Sequence, residues 1–425
     1  MRSQSTFLLS LASAALPSAF VQAEGTPAVL TVPLVRTRDT SHQLSKRSNT
    51  VDVQSWIDAS SYPFIANYTW GTPPQHLEIT LETLYNASWV QGVNNDCLGS
   101  NASYCEELYN QTASTTAMTL DEPFDFNFSD TYIRGDFVTD VLSIGGIKLN
   151  MTMGVNNETV TSQTSLGLAY GNSLTQALAD AGEINSPAFS IYDQTILFGG
   201  VNKAKYDGPL TTFPITNVSR STFTTRALRI NMSDISVSGS SVASSEFPLD
   251  AVFDIQQSWS YLPYSVSQEL NKKIGDVSDT WVSGFSNYSC DSLKNDSTVD
   301  FKFGGTEFKL NLTDFIDYVP EYDTCIFTIG QGNDTEYEGS VVLGTNFLNL
   351  TYAVFDLEND EISLAKRSSG DASDDIVEIK SGKDGVPGAS KDDSDSDSDS
   401  AAGRVGKSMG LTTLLVASAM FFVAL

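Results

Sequence analysis

The sequence predicts an all-β protein built as two similar lobes facing each other across a central cleft, with few short helices. Three observations predict this. Short segments with alternating apolar residues, such as HLEITLE, GDFVTDVLSI, QTILFGG and FKLNL, are separated by turns rich in Gly, Pro, Asn and Asp. Helical patterns are few, SLTQALADAG and SVSQELNKKIG being the best. The chain also nearly repeats itself. ITLET at Ile79 to Thr83 is answered by AVFDI at Ala251 to Ile255, and each is followed much later by two apolar residues and a glycine, in SLGLAY near Gly167 and VVLGTNFL near Gly344. Each half offers one acid at a strand end, Glu82 or Asp254, so two such lobes would bring two carboxylates face to face.

The remaining segments follow in chain order. Residues 1–23 carry one Arg, an apolar run from Phe7 to Ala15 and a small-residue site at Val21-Gln22-Ala23, which is the make-up of a secretory signal peptide. Residues 24–47 end on the dibasic pair Lys46-Arg47, which marks them as a propeptide. Residues 48–210 and 211–367 hold enough aromatic and β-branched side chains for a large core, and their length suits two lobes. Residues 368–400 are rich in Ser, Gly and Asp with almost no apolar content, so they are expected to form a disordered acidic stalk. The apolar stretch Leu411 to Leu425 is too short to span a bilayer comfortably, since about 20 apolar residues are needed. Preceded by small residues at Ser400, Ala401 and Ala402 and a polar spacer, it has the form of a signal replaced by a glycosylphosphatidylinositol (GPI) anchor, with Ser400 as the attachment residue and 401–425 removed.

Composition narrows the chemistry. A formal charge of -28 argues against nucleic acid and anionic membrane surfaces as partners. Four cysteines in an exported chain read as two disulfides. Neighbours in sequence suggest Cys97 with Cys105 and Cys290 with Cys325, although four cysteines allow three pairings. Sequons for N-glycosylation are numerous, and Asn67, Asn101, Asn110, Asn150, Asn217 and Asn287 are expected to carry glycans. The histidines are only His42 and His76, so Ser-His-Asp or Cys-His machinery and His-rich zinc sites are not expected. The Gly-Gly pairs at 145–146, 199–200 and 304–305 lack the pattern of a phosphate-cradling loop and read as hairpin turns. No metal and no cofactor is expected. What remains is carboxylate chemistry, or no chemistry.

Five stretches carry a likeness to a known family: YPFIANYTWGTPPQHLEITLET, GDFVTDVLSIGG, ILFGGVNKAKYDGPLTTFPI, YLPYSVSQEL and VVLGTNFLNLTYAVFDLENDEISLA. Over nearly all of Ser48 to Arg367 the chain resembles the pepsin-like aspartic endopeptidases, especially the yapsin-type, glycolipid-anchored members of fungi. The resemblance implies a bilobal fold, a place at the cell surface or wall, and a monomer with a cleft for a peptide or protein ligand. It also implies two Asp-Thr/Ser-Gly triplets whose aspartates share one proton and activate a water.

Here the triplets are Glu82-Thr83-Leu84 and Asp254-Ile255-Gln256. Glu for Asp moves a carboxylate by about one methylene, and a misplacement of about 1 Å can cost roughly 100-fold in rate. In the family the hydroxyl after each acid bonds across to the opposite loop. Thr83 should keep one half of that grip and Ile255 should lose the other. Leu84 and Gln256 stand where glycines allow close approach, so they should push the carboxylates apart. The flap should present Phe128-Ser129 where the family has Tyr followed by Gly. The expectation is an exported, GPI-anchored homologue with an impaired catalytic centre. Its alternatives are an active aspartic endopeptidase using Glu82 and Asp254, and a structural wall glycoprotein.

Overall fold

The structure, a computed structural model, describes residues 28–35 and most of 64–392. The expected signal peptide, most of the propeptide, the chain beyond Asp392 with Ser400, the pair Cys97 and Cys105, the sequons at Asn67, Asn101 and Asn217, and Ser129 of the flap lie outside the described residues. Among the described residues strands predominate, and the two longest helices fall where helical spacing placed them, at Leu174–Asp180 and Tyr264–Ile274.

The first lobe is organised by two long hairpins, Met118–Phe128 with Thr131–Ile144 and the latter with Ile147–Thr159. The second hairpin turns at Gly145-Gly146, where φ is 56° and 86° and Ile144 faces Ile147. A two-residue turn with both residues left-handed matches the twist of its strands, and glycine adopts it without steric cost. In the second lobe Thr298–Phe303 pairs with Thr306–Asn311 around Gly304-Gly305, as expected. Gly199-Gly200 is not a hairpin turn: it is the step at which the chain leaves the strand Thr195–Phe198 and enters Gly200–Asn202, which pairs with Ile376–Glu378. Cys290 and Cys325 form a disulfide with a Cα–Cα distance of 5.1 Å. Closing that loop is expected to contribute about 2 to 4 kcal/mol by restricting the unfolded chain.

An eight-stranded sheet joins the halves. In it Ala188–Tyr192 pairs with Thr351–Asp356, and Tyr206–Pro214 with Glu361–Arg367. Its two faces are packed by aromatic stacks, Phe189 on Phe355 with centroids 4.8 Å apart and Tyr192 on Tyr352 at 5.1 Å. The lobe boundary expected between 210 and 211 therefore falls inside a strand, because Tyr206–Pro214 belongs to the shared sheet rather than to either lobe.

Three expectations change. The stalk expected from Ser368 does not begin there: Ile376–Glu378 pairs with Gly200–Asn202, Ala389–Lys391 pairs in parallel with Leu210–Thr212, and Asp392 accepts hydrogen bonds from Gly305 N–H and Thr306 Oγ1 at 2.9 Å each. The few apolar residues of this segment decide the matter, since Ile379 and Val386 are buried in a cluster with Leu197, Tyr352 and Ala365. Asn287 is buried in the strand Phe285–Tyr288, so its amide has no room for a glycan in the folded lobe. Finally, the expected propeptide supplies a strand. Leu30–Val35 pairs with Thr195–Phe198, buries Ala28, Leu30 and Val32, and is clipped to the C-terminal segment by Ala28 N–H donating to Glu378 Oε1 at 2.5 Å.

A buried carboxylate ties the strand Thr131–Ile144 to the segment around Tyr109 and Thr116. Asp140 accepts from Tyr109 Oη at 2.6 Å, Thr116 Oγ1 at 2.5 Å and Val141 N–H at 2.8 Å, and the Tyr109 ring in turn packs at a tilt against Trp70 with centroids 4.2 Å apart. Burial alone would raise the pKa of Asp140, but the hydrogen bonds outweigh it and hold the carboxyl below its ordinary value.

Two outcomes are expected. Cutting the chain after Arg47 should leave residues 24–47 bound through the strand Leu30–Val35, so the fragment should co-elute with the core in size exclusion at neutral pH and separate only on denaturation. Because the folded pKa of Asp140 is depressed, its ionised form stabilises the fold above the ordinary carboxylate pKa of about 3.9, and this is lost as pH falls through the folded value. Asp140→Asn should therefore lower Tm at pH 6, with the gap to the natural protein narrowing as pH falls below about 4.

Candidate active site

Each acid ends a strand that is paired in parallel with a crossing strand from later in its own half. Leu81–Glu82 pairs with Leu166–Gly167, with Gly167 opposite Glu82. Leu249–Phe253 pairs with Val341–Leu343, and Asp254 N–H continues the ladder to Leu343 O at 3.1 Å. The near-repeat in sequence is thus a repeat in structure. Both acids are buried, Glu82 at 2% and Asp254 at 1% exposure, and burial of two carboxyls beside each other's loops is the arrangement carboxylate chemistry requires.

The two halves build the same cradle around their acids. Glu82 Oε1 accepts from Leu84 N–H at 2.6 Å, and Asp254 Oδ1 accepts from Gln256 N–H at 2.9 Å. Six residues after each acid stands a serine, Ser88 or Ser260, whose hydroxyl accepts from the N–H of the crossing-strand glycine: Gly167 to Ser88 Oγ at 3.0 Å, Gly344 to Ser260 Oγ at 3.1 Å. Close approach is obligatory at Gly344, where a Cβ would stand 2.2 Å from Trp259 O.

The loops are joined across the lobes, and here one expectation is corrected. Thr83 Oγ1 donates to Phe253 O at 2.9 Å and accepts from Ile255 N–H at 3.1 Å, the half of the grip that its hydroxyl was expected to keep. The other half was expected to be lost with Ile255. Instead Gln256 Nε2 donates to Leu81 O at 3.1 Å. Leu81 and Phe253 are the residues immediately before the two acids, so each loop still reaches the carbonyl that precedes the opposite carboxylate. The longer Gln256 side chain does this from one position further along, while Ile255 turns into the main core cluster.

The apolar wall beside Glu82 was not anticipated. Leu84 is buried in one cluster with Trp89, Phe124, Phe126, Phe137 and Val252. Phe124 and Phe126 lie on Met118–Phe128, the first flap strand, and the rings make a contiguous set: Trp89 to Phe126 at 5.5 Å, Phe124 to Phe137 at 5.1 Å. Val252 comes from the other half, two residues before Asp254. The signal was present in the alternation of FDFNF, which puts Phe124 and Phe126 on one face. Phe128 ends the same strand opposite Thr131. Ser88 and Ser260 were also missed, and their equal spacing from the acids could have found them.

His76, for which no catalytic role was expected, and the expected glycosylation residues Asn110 and Asn150 lie elsewhere. His76 is exposed on the hairpin it forms with Thr69. Asn110 is half-buried and its Oδ1 accepts from Ala113 N–H at 3.2 Å as a helix cap. Asn150 is exposed on Ile147–Thr159.

With Thr83 replaced by Val, Phe253 O and Ile255 N–H would lose their partner in a buried interface. The expected loss is about 2 to 3 kcal/mol of folding stability by urea denaturation. A loss under about 0.5 kcal/mol would place the joint between the loops elsewhere.

Comparison with known proteins gives the same picture. The family model for eukaryotic aspartyl proteases matches residues 63–367. The chain is 29% identical over 379 residues to the "Probable aspartic-type endopeptidase opsB" of Aspergillus oryzae, covering 81% of this chain and 76% of the relative. It is 28% identical over 378 residues to the aspartic proteinase yapsin-3 of Saccharomyces cerevisiae, covering 80% and 72%. With secreted aspartic protease 8 of Candida albicans it shares 27% identity over 340 residues, covering 74% and 78%.

Proposed function

The chain belongs to the eukaryotic aspartyl protease family, and from that premise we propose that it is an exported, GPI-anchored homologue whose protease centre is impaired and whose cleft binds a peptide or protein segment at the cell surface. The observation that carries this is Leu84. Where the resemblance implies a glycine beside the first acid, a leucine side chain is buried with flap-strand aromatics Phe124 and Phe126. The protein's own side chain thus packs two residues from Glu82, where a glycine would leave room, and we read this as space lost to a substrate and an attacking water.

The chemistry points the same way. The family reaction needs two carboxylates that share a proton and hold one water between them. Glu82 carries one more methylene than aspartate, so its carboxylate stands off from the backbone by a different length than that of Asp254, although both accept from the N–H two residues on. A displacement of about 1 Å in such a group is worth roughly 100-fold. Export is supported by the leader-like first 23 residues and by a relative whose printed name is a secreted protease. The anchor is supported by the tail after Ser400.

A second reading, an active endopeptidase using Glu82 and Asp254, is favoured by one observation: the Gln256 Nε2 bond to Leu81 O keeps the loops joined. The two readings separate in one experiment. Purified ectodomain is incubated with an unbiased peptide library from pH 3 to 6, and cleavage and peptide retention are both read by mass spectrometry. We expect retention of a subset of peptides with no cleavage, and the same retention by Asp254→Ala. Cleavage that Asp254→Ala abolishes would establish the active reading instead.

A further inference from the structure

A cavity of about 660 Å³ lies away from the two acids, between the strand segment Lys148–Thr152 and the helix Leu174–Asp180 with the turn that follows it. That volume is in the roughly 300 to 1,000 Å³ range of small-molecule sites. One of its walls carries a sequon, Asn150-Met151-Thr152, with Asn150 exposed and lining the cavity. We propose that this groove is the seat of the protein's own N-glycan: a glycan on Asn150 folds its N-acetylglucosamine core against the helix. The proposal rests on the export reading above, because only an exported chain meets the glycosylation machinery.

The lining suits a sugar. A pyranose presents hydroxyls around its rim and C–H groups on its faces, so it needs hydrogen-bonding partners around a small apolar floor. Ala177 and Ala181, one turn apart on the same helix face, provide a floor without bulk. Beside them Gln176 and Asp180, also one turn apart, are linked by Gln176 Nε2 donating to Asp180 Oδ1 at 2.9 Å, which leaves the remaining amide and carboxylate positions for hydroxyls. Small residues make the space and polar ones rim it. The first sugar is delivered covalently at Asn150, so the groove need not be tight: tethering supplies a high effective concentration.

The test uses the full chain expressed in a eukaryotic secretion host. Endoglycosidase H, which cuts between the two core N-acetylglucosamines of high-mannose glycans, is applied to native and to denatured protein, with glycopeptides followed by mass spectrometry. Asn231 and Asn311, exposed sequons outside the groove, are the internal controls. We expect the Asn150 glycan to be released at least tenfold more slowly than the controls in the native protein and at the same rate after denaturation. The surface double substitution Gln176→Ala with Asp180→Ala keeps the sequon and should restore native sensitivity. Equal native rates at all three sites, or glycans on Asn231 and Asn311 with Asn150 bare, would overturn the seat and leave the export reading standing. No glycan at any sequon of the secreted chain would overturn both.

Discussion

The structure depends on a pair of hydrogen-bonded contacts that cross between the lobes at the acids. Thr83 reaches Phe253 O and Ile255 N–H, and Gln256 reaches Leu81 O. These bonds lie at the ends of the strands carrying Glu82 and Asp254, and they serve backbone groups that face the opposite half rather than the strand partner in their own. Buried backbone groups there would otherwise go without partners, and a buried N–H or C=O left unsatisfied costs about 1 to 3 kcal/mol. The contacts therefore set the spacing of the loops. Glu82 and Leu84 flank Thr83, and Asp254 lies between Phe253 and Ile255, so both acids sit directly beside these contacts.

Two kinds of change have met at this site, with opposite physical effects. Ile255 and Gln256 act as a unit: a hydroxyl is exchanged for a core-facing aliphatic group, and an amide one residue later takes up the carbonyl across the cleft. That exchange keeps the scaffold. Glu82 and Leu84 change the site itself instead, one by lengthening the carboxylate and the other by burying a side chain where the resemblance implies a glycine. Joints kept and a side chain added beside the first acid are the two features on which the proposal of an impaired, peptide-binding cleft rests.

Much of this was legible in the sequence because it is written in local pattern. The near-repeat at Glu82 and Asp254, the turns at Gly145-Gly146 and Gly304-Gly305, both main helices and the Cys290–Cys325 bridge follow from periodicity, turn chemistry and spacing. What was not legible depends on long-range partners. No local signal says that Gln256 will find Leu81, 175 positions earlier in the chain, or that Ile379 and Val386 in an otherwise polar segment will have a sheet to pack against. Asn287 looked like any other sequon until its strand was seen to be buried. In each case composition described the segment correctly, and the surroundings decided its fate.

The claim that Gln256 has taken over the missing hydroxyl's bond is tested most directly by a double-mutant cycle on folding stability between Gln256→Ala and Ile255→Thr. If the amide and the hydroxyl are alternative donors to Leu81 O, Gln256→Ala should destabilise the natural protein by about 1 to 2 kcal/mol, and much less when Thr occupies position 255. A coupling energy of about 1 kcal/mol or more is the predicted result. Strict additivity of the two substitutions would contradict it, and would mean that the loops are held together by something other than this exchange.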